Sequence, residues 1–398
     1  MLRRVSSAIG VVLVLTGFSS GCGGKPIVGV ILPTTGPAAS YGESIESGMR
    51  LALSDARERA ALPTGFEVVW ADSGSDPTRA VAEFRTMVEE RGAKLVIGGV
   101  TSAEAMALIP RLDEFDVVCL SPSASAPGLA QQSRLFFRIY PSDELEGHTA
   151  ANFLFERLGK HDVLLFTGDT EYTRGIKPEF LKQYEEALGG TVVDDIALTE
   201  NGWQEVAARA LARGNVEAVY AIGYDVEILS VVRFLSDRGF KGRIVTTSAF
   251  YSGEVIREAG EAAEGVLFPL PPFDRTSEKE PVLSFVNRYM DTYERAPDVF
   301  AAHGFDVMGL AIQVMNYAKP PETLEILKAL NYGVAEFMGV TGPILFDDYG
   351  DVKHYPMMFI VHGGQVLSYQ RFLDVERRRI LNQVQDLLAT GDSTGRNP

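Results

Sequence analysis

The sequence predicts an α/β protein made of two doubly wound, parallel-sheet lobes. Short β-branched runs alternate with amphipathic segments of roughly 10 to 15 residues, the pattern of strands joined by crossover helices. Such crossovers place helices on both faces of each sheet. These units are too numerous for one sheet of ordinary size, and 398 residues are enough for two or three domains.

Helix start and stop signals support the individual elements. Asp76 is a candidate N-cap with Pro77 at the first helical position, and Gly92 can end the helix in the left-handed conformation. The predicted strands are 27–32, 66–70, 95–98, 117–120, 134–140, 163–166, 191–196, 218–222 and 244–247. The predicted helices between them include 43–56, 144–158, 176–188, 203–212 and 226–237.

The boundary between the lobes is predicted near residues 141–143, where the first set of strands ends. After residues 269–273 the order changes to long helices, and then to short strands predicted at 344–346, 357–361 and 366–369. We therefore assign residues 25–142 and about 274–340 to the N-terminal lobe, and about 143–273 and 341–372 to the C-terminal lobe. We assign residues 373–398 to a C-terminal helix and tail.

The first 21 residues have the pattern of an export signal. Arg3 and Arg4 precede an apolar run at 8–15, which is too short to cross a bilayer and is followed by small residues. Cys22 comes directly after Ser-Ser-Gly and resembles the acylated cysteine of a bacterial lipoprotein, although Ser19 replaces the usual Leu or Val. We expect an exported protein, periplasmic or at the cell surface, with a lipid anchor at Cys22; the alternative is a plain secretory peptide.

The composition excludes several classes of function. The formal net charge is −16, so a nucleic-acid backbone would be repelled. The chain has only two cysteines, which argues against a disulfide framework. Its five histidines do not have the spacing of metal ligands, so we expect no metal site. No phosphate-binding glycine loop follows the first strand, and the Gly-x-Ser-x-Gly at 391–395 lies in the polar tail. We expect no cofactor and no enzymatic activity.

Candidate binding residues concentrate in three turns that follow strands, at 34–42, 98–102 and 121–128. Ligands of doubly wound sheets bind in the crevice at these carboxyl ends. Thr101 and Glu104 have the spacing of a capping box, which places free helix amides beside the hydroxyls of Thr101 and Ser102. Amide donors, a positive helix end and a hydroxyl suit a carboxylate, unless these residues serve as caps alone.

Several short motifs occur in a characteristic order. They are Gly-Pro-Ala-Ala-Ser-Tyr-Gly at 36–42, Ser-Pro-Ser-Ala-Ser at 121–125, Phe137-Arg138 with Asp143 and Gly147, Tyr172 with Gly175, and Glu-Gly-Val at 264–266. Over about residues 26–370 the chain resembles the leucine/isoleucine/valine-binding proteins. These are type I periplasmic solute-binding proteins of ABC importers.

The resemblance implies two lobes joined by a hinge of three crossing strands, which close on a small solute for an ABC permease. Ser102, Ala124 and Ser125 match the positions that hold the carboxylate and amino group of the ligand, and Tyr41 would wall the cleft. Tyr172 and Tyr224 would form the opposite wall, or pack at a lobe surface. We expect a monomer that contacts the membrane through its lipid anchor only.

One departure from the family leaves the solute open. The amino-acid binders neutralise the ligand ammonium with an acidic residue after a second-lobe strand, but the corresponding turn at 246–251 has no carboxylate. Asp225 either takes this role or caps the following helix. The solute is therefore an amino acid held by Asp225, or a carboxylate without an amine, such as an aromatic acid on Tyr251 or Phe250. The alternative function is a ligand-sensing periplasmic module for a signalling partner.

Overall fold

The computed structural model describes residues 25–251, 253–334 and 337–391, with the backbone alone for 171, 225, 253, 254 and 386–391. The predicted signal at 1–21 and Cys22 lie outside the described residues. Within them, two large sheets with helices confirm the predicted α/β class. None of the helices in these ranges combines the length and the apolar character needed to span a bilayer.

The first lobe is built on a parallel sheet of five strands in the order β2-β1-β3-β4-β5. Its strands are β1 (Ile27–Leu32), β2 (Glu67–Asp72), β3 (Leu95–Ile97), β4 (Val118–Ser121) and β5 (Phe136–Arg138). Its crossover helices are α1 (Ala39–Glu58), α2 (Pro77–Arg85) and α3 (Ser102–Phe115). Strand β1, which pairs with β2 and β3, is almost completely buried, as its β-branched sequence predicts.

The second lobe is built on a larger sheet. Its parallel strands are β6 (Asp162–Thr167), β7 (Thr191–Ala197), β8 (Ala218–Ile222), β9 (Arg243–Thr246) and β10 (Leu267–Leu270). Its helices are α4 (Glu144–Asn152), α5 (Glu171–Leu181), α6 (Trp203–Leu211), α7 (Asp225–Asp237) and α8 (Gly253–Ala259). One turn of π-helix, Phe153–Arg157, extends α4, and another, Lys182–Ala187, extends α5.

The C-terminal third returns to both lobes. Its elements are α9 (Val282–Tyr293), α10 (Val299–Tyr317), α11 (Thr323–Lys328), the hairpin β11 (Phe337–Gly339) and β12 (Gly342–Ile344), β13 (Met357–His362), β14 (Gln365–Ser368) and α12 (Tyr369–Gly391). Strands β13 and β14 join the second sheet in antiparallel pairs, so the large sheet has the order β14-β13-β10-β9-β8-β6-β7. The chain crosses between lobes at residues 139–143, 271–281 and 353–356.

One of the predicted C-terminal strands has different bounds in the structure. The strand expected at 344–346 is instead β12, which pairs with β11. The reason is the buried carboxylate of Asp306 on α10, which accepts hydrogen bonds from the amides of Val340 and Thr341 at 2.8 Å and fixes the hairpin turn. In addition, Ile344 and Val352 pack in the core of the first lobe. We now propose that the first lobe extends to about residue 352, rather than ending near 340.

The helices α1 and α10 cross at two glycines on the first lobe. A Cβ atom added to Gly48 would overlap the carbonyl oxygen of Ala301, and one added to Gly304 would overlap that of Ile45. The backbones of α1 and α10 are therefore in direct contact at this crossing, which leaves no room for a methyl group.

We expect Gly48→Ala to lower the free energy of unfolding by about 1–3 kcal/mol, because the helices must separate to admit the methyl group. Alanine would stabilise an isolated helix by about 1 kcal/mol, so the sign of the change tests the packing. Urea unfolding of Gly48→Ala and of Glu43→Ala, a control at an exposed position of α1, measures the difference. Equal or greater stability of Gly48→Ala would contradict this contact.

Candidate functional site

A cleft of about 1010 Å³ lies between the two lobes. Both sheets point the carboxyl ends of their parallel strands toward it, as expected for this class of fold. Six of the residues predicted to bind ligand line the cleft, namely Tyr41, Ser102, Ser125, Tyr172, Tyr224 and Tyr251.

The amino end of α3 forms the first-lobe side of the cleft. The predicted capping box is present: Thr101 Oγ1 accepts from the amide of Glu104 at 3.2 Å, and the Glu104 carboxylate accepts from the amide of Thr101 at 3.1 Å. Glu104 is buried and also accepts from the Ser73 hydroxyl at 2.6 Å. Among the described residues, the amides of Ser102 and Ala103 have no hydrogen-bond acceptor. This helix end therefore offers two free donors to an anion.

The Ser-Pro loop after β4 is fastened beside this helix end. The Ser102 hydroxyl accepts a hydrogen bond from the amide of Ala126 at 3.1 Å, which leaves the hydroxyl proton available to a ligand. The amide of Ala124 donates to the Ser121 hydroxyl at 3.1 Å, and Ala124 is buried. Thr101 and Ala124 therefore shape the site without lining the cleft, whereas Ser102 and Ser125 face it.

Arg138 connects this loop to the hinge. Its guanidinium is fully buried and donates to the carbonyl oxygen of Ala126 at 2.7 Å and to both carboxylate oxygens of Asp351. Because Asp351 lies just before the third crossing, the ion pair holds the ligand-facing loop against the segment that leads to the second lobe. The bidentate geometry fixes the orientation as well as the distance.

Aromatic rings line both sides of the cleft. On the second lobe, Tyr172 and Tyr224 stack with their centroids 5.0 Å apart and an interplanar angle of 22°. On the first lobe, Phe300 contacts Tyr41 at 4.6 Å and stacks parallel to Tyr140 at 6.2 Å. All of these rings line the cleft, which therefore offers aromatic surface from both lobes to an apolar side chain.

Two carboxyl groups in the cleft were missed by the sequence analysis as ligand contacts. Asp143 and Glu146 lie three residues apart at the start of α4 and line the cleft. Glu146 accepts hydrogen bonds from the Tyr172 hydroxyl at 2.9 Å and from the amide of Ser248. Ser248 belongs to the turn at 246–251, so the turn that has no acid of its own receives one from α4.

Close helix packing explains why Glu146 reaches this turn. A Cβ atom on Gly147 would lie 2.6 Å from the carbonyl oxygen of Ile176, so α4 and α5 approach at backbone distance. Tyr172, in the first turn of α5, thereby meets Glu146. The available sequence signal was the Asp-x-x-Glu-Gly pattern at 143–147, which places both acids on one face of a helix.

Both carboxyl groups hold protons unusually well. Burial raises the pKa of Glu146 to about 8, assisted by the charge of Asp143 and opposed by the hydrogen bonds from Ser248 and Tyr172. Burial likewise raises the pKa of Asp143 to about 7, opposed by Ser125 and by the charge of Arg138. Near neutral pH the two carboxyl groups therefore share at least one proton, which a nearby cation would displace.

The backbone of Asp225 begins α7, whereas its side chain lies outside the part of the chain that the structure describes. The prediction that Asp225 neutralises an ammonium group thus stays untested. Among the described residues, no group of three or more potential ligands could hold a metal ion.

Comparison with known proteins places the chain in a family. Residues 27–362 match the periplasmic binding protein family model. The chain belongs to this family. It shares the fold and ancestry of the leucine/isoleucine/valine-binding proteins, whose members bind solutes and are not enzymes.

Individual relatives agree with this assignment. A leucine-, isoleucine-, valine-, threonine- and alanine-binding protein of Pseudomonas aeruginosa is 26% identical over 81% of this chain and 86% of its own length. A putative branched-chain amino acid ABC transporter from Rhodospirillum rubrum is 26% identical, with a TM-score of 0.76 over 86% of this chain and 99% of its own. A benzoate complex of a solute-binding protein from R. palustris, at 22% identity and a TM-score of 0.66, shares the fold over 87% of this chain and 96% of its own.

We expect the stability of this periplasmic binding protein to fall as the pH rises from about 5 to about 8. The ordinary glutamate pKa is 4.5 and that of the folded protein is about 8, so between these values the folded state binds a proton that the unfolded chain has lost. This decrease in stability is on the order of 4 kcal/mol, and Glu146→Gln should remove it. Urea unfolding at several pH values measures it; the same slope in both proteins would contradict the raised pKa.

Proposed function

We propose that this protein is the substrate-binding component of an ABC importer and that it closes on a small α-amino acid. The amino end of α3, with Ser102 and Ser125, would hold the carboxylate of the solute. Glu146 and Asp143 would hold its ammonium group, and the facing tyrosines would cover its side chain. The observation that carries the proposal is the pairing of free helix amides on the first lobe with buried carboxyl groups at the second.

The two charged regions distinguish an amino acid from a simple acid. An ammonium group beside Glu146 compensates its negative charge and lowers its pKa, so binding would release a proton near neutral pH. A carboxylate without an amine adds negative charge to the same cleft and would favour the protonated form of Glu146. The relatives named for branched-chain amino acids support the first alternative, and the benzoate complex represents the second.

One direct contact joins the two lobes across the cleft. Pro127, at the end of the Ser-Pro loop, faces Gly175 on α5, where an added Cβ atom would lie 3.2 Å from the proline ring. Both residues line the cleft. A ligand that contacts both lobes would stabilise this closed arrangement by its differential affinity, and the permease would recognise the closed surface. We further propose that the protein acts as a monomer outside the cytoplasmic membrane, tethered by a lipid at Cys22.

Leucine should bind with release of close to one proton at about pH 7, whereas 4-methylpentanoate should bind more weakly and release none. Titration calorimetry in buffers of different ionisation enthalpy measures both quantities. Glu146→Gln should weaken leucine binding by roughly 100-fold, about 3 kcal/mol for a lost buried counter-ion.

Glu144→Gln is the matched control, because Glu144 is on the same helix but does not line the cleft. It should leave leucine affinity nearly unchanged. Equal affinities for leucine and 4-methylpentanoate, or a preference for benzoate, would reject the amino-acid assignment.

Gly175→Leu should hold the lobes apart, since its side chain would meet Pro127. We expect leucine to reduce the radius of gyration of the wild-type protein but not of this variant, and its dissociation constant to rise by about tenfold or more. Small-angle X-ray scattering and calorimetry measure the two effects. Gly175→Ala provides a graded control with a smaller loss, and unchanged closure in Gly175→Leu would contradict the contact.

A further inference from the structure

A second cavity, of about 470 Å³, lies outside the cleft beside the third crossing. We call it the hinge pocket and define it by Thr149, Phe153, Pro356, Met357, Tyr369 and Gln370. These residues come from α4 and its π-helical turn, from the third crossing with the start of β13, and from the first turn of α12. Its volume is in the range of small-molecule sites.

The walls of the hinge pocket suit a flat apolar ring. Phe153 and Tyr369 meet edge to face, with centroids 4.8 Å apart and an interplanar angle of 87°. Pro356 and the thioether of Met357 complete the apolar surface. Methionine sulfur and aromatic edges both make favourable contacts with a bound aromatic ring.

The polar groups of the pocket specify the rest of the ligand. Gln370 lines the pocket at its exposed rim, and its side-chain amide can exchange hydrogen bonds with a hydroxyl or amide group of a ligand. Glu156 and Arg157 are adjacent, exposed and opposite in charge at the rim, so the pocket favours neither an anion nor a cation.

One residue of the hinge pocket also lines the interlobe cleft. Pro356 lines both the hinge pocket and the interlobe cleft. It lies in the third crossing, which must change its backbone angles when the lobes move relative to each other. A molecule in the hinge pocket would pack against Pro356 and would therefore influence the third crossing, which also forms part of the cleft.

We propose that the hinge pocket is a second binding site, for an uncharged aromatic compound carrying a hydroxyl or amide group, and that its occupant changes the affinity of the cleft. The site itself is independent of the proposed function; its effect on the cleft rests on that function.

Benzyl alcohol is a suitable probe, observed by saturation-transfer NMR. It should bind the wild-type protein and the cleft variant Tyr224→Ala, but not Gln370→Trp, whose indole would fill the pocket from its exposed rim. Gln365→Trp is the matched control, with the same added ring at an exposed position of β14. Absence of binding to the wild type, or binding that Tyr224→Ala abolishes and Gln370→Trp leaves intact, would overturn the site.

The effect on the cleft is measured with leucine. Saturating benzyl alcohol should change the dissociation constant of leucine by about threefold or more in the wild type and in Gln365→Trp, and not in Gln370→Trp. Binding of benzyl alcohol to the hinge pocket with no such change would overturn the coupling. If leucine fails to bind while the benzyl alcohol signals persist, the proposed amino-acid function fails and the second site stands.

Discussion

The cleft depends on an electrostatic arrangement that neither lobe can satisfy alone. On one side, the amino end of α3 offers the free amides of Ser102 and Ala103, while the buried carboxylate of Glu104 accepts from Thr101 and Ser73 instead. On the other side, burial disfavours the ionised forms of Glu146 and Asp143, and the charge of Arg138 offsets this only in part for Asp143. A solute with a negative and a positive end would satisfy both regions at once. Under the proposed function, a bound solute would contact both regions and so favour the closed lobes.

Each side is held in place by its own lobe before any ligand arrives. The buried Glu104 fixes the first turn of α3, and Arg138 fixes the Ser-Pro loop through two carbonyl oxygens and Asp351. On the second lobe, Tyr172 and Ser248 orient Glu146. Rigid sites of this kind lose little conformational entropy on binding. In the proposed closure, the motion would be confined to the three crossings; Pro356 in the third crossing lines both the cleft and the hinge pocket.

The sequence predicted the parts of this account that depend on local chemistry. Strand and helix alternation established the fold, and the capping box at Thr101 and Glu104 follows from residue spacing. Glu146 could not be identified in the same way, because its place in the cleft comes from the contact of α4 with α5 and with a turn 102 residues later. The β11–β12 hairpin was missed for a similar reason, since its turn is held by Asp306 from a distant helix. Local sequence patterns predict helices, strands and helix caps. Contacts between segments that are distant in the sequence can be identified only from the folded structure.

The ionisation state of Glu146 with and without ligand is the most direct test of the central claim. Carbon-13 NMR of glutamate carboxyl groups, with Glu146→Gln to assign the resonance, would follow its titration in the empty protein and in the protein saturated with leucine. The account predicts a midpoint near the raised pKa of about 8 in the empty cleft, and a carboxylate already ionised well below neutral pH when leucine is bound. The same titration curve in both states would contradict it.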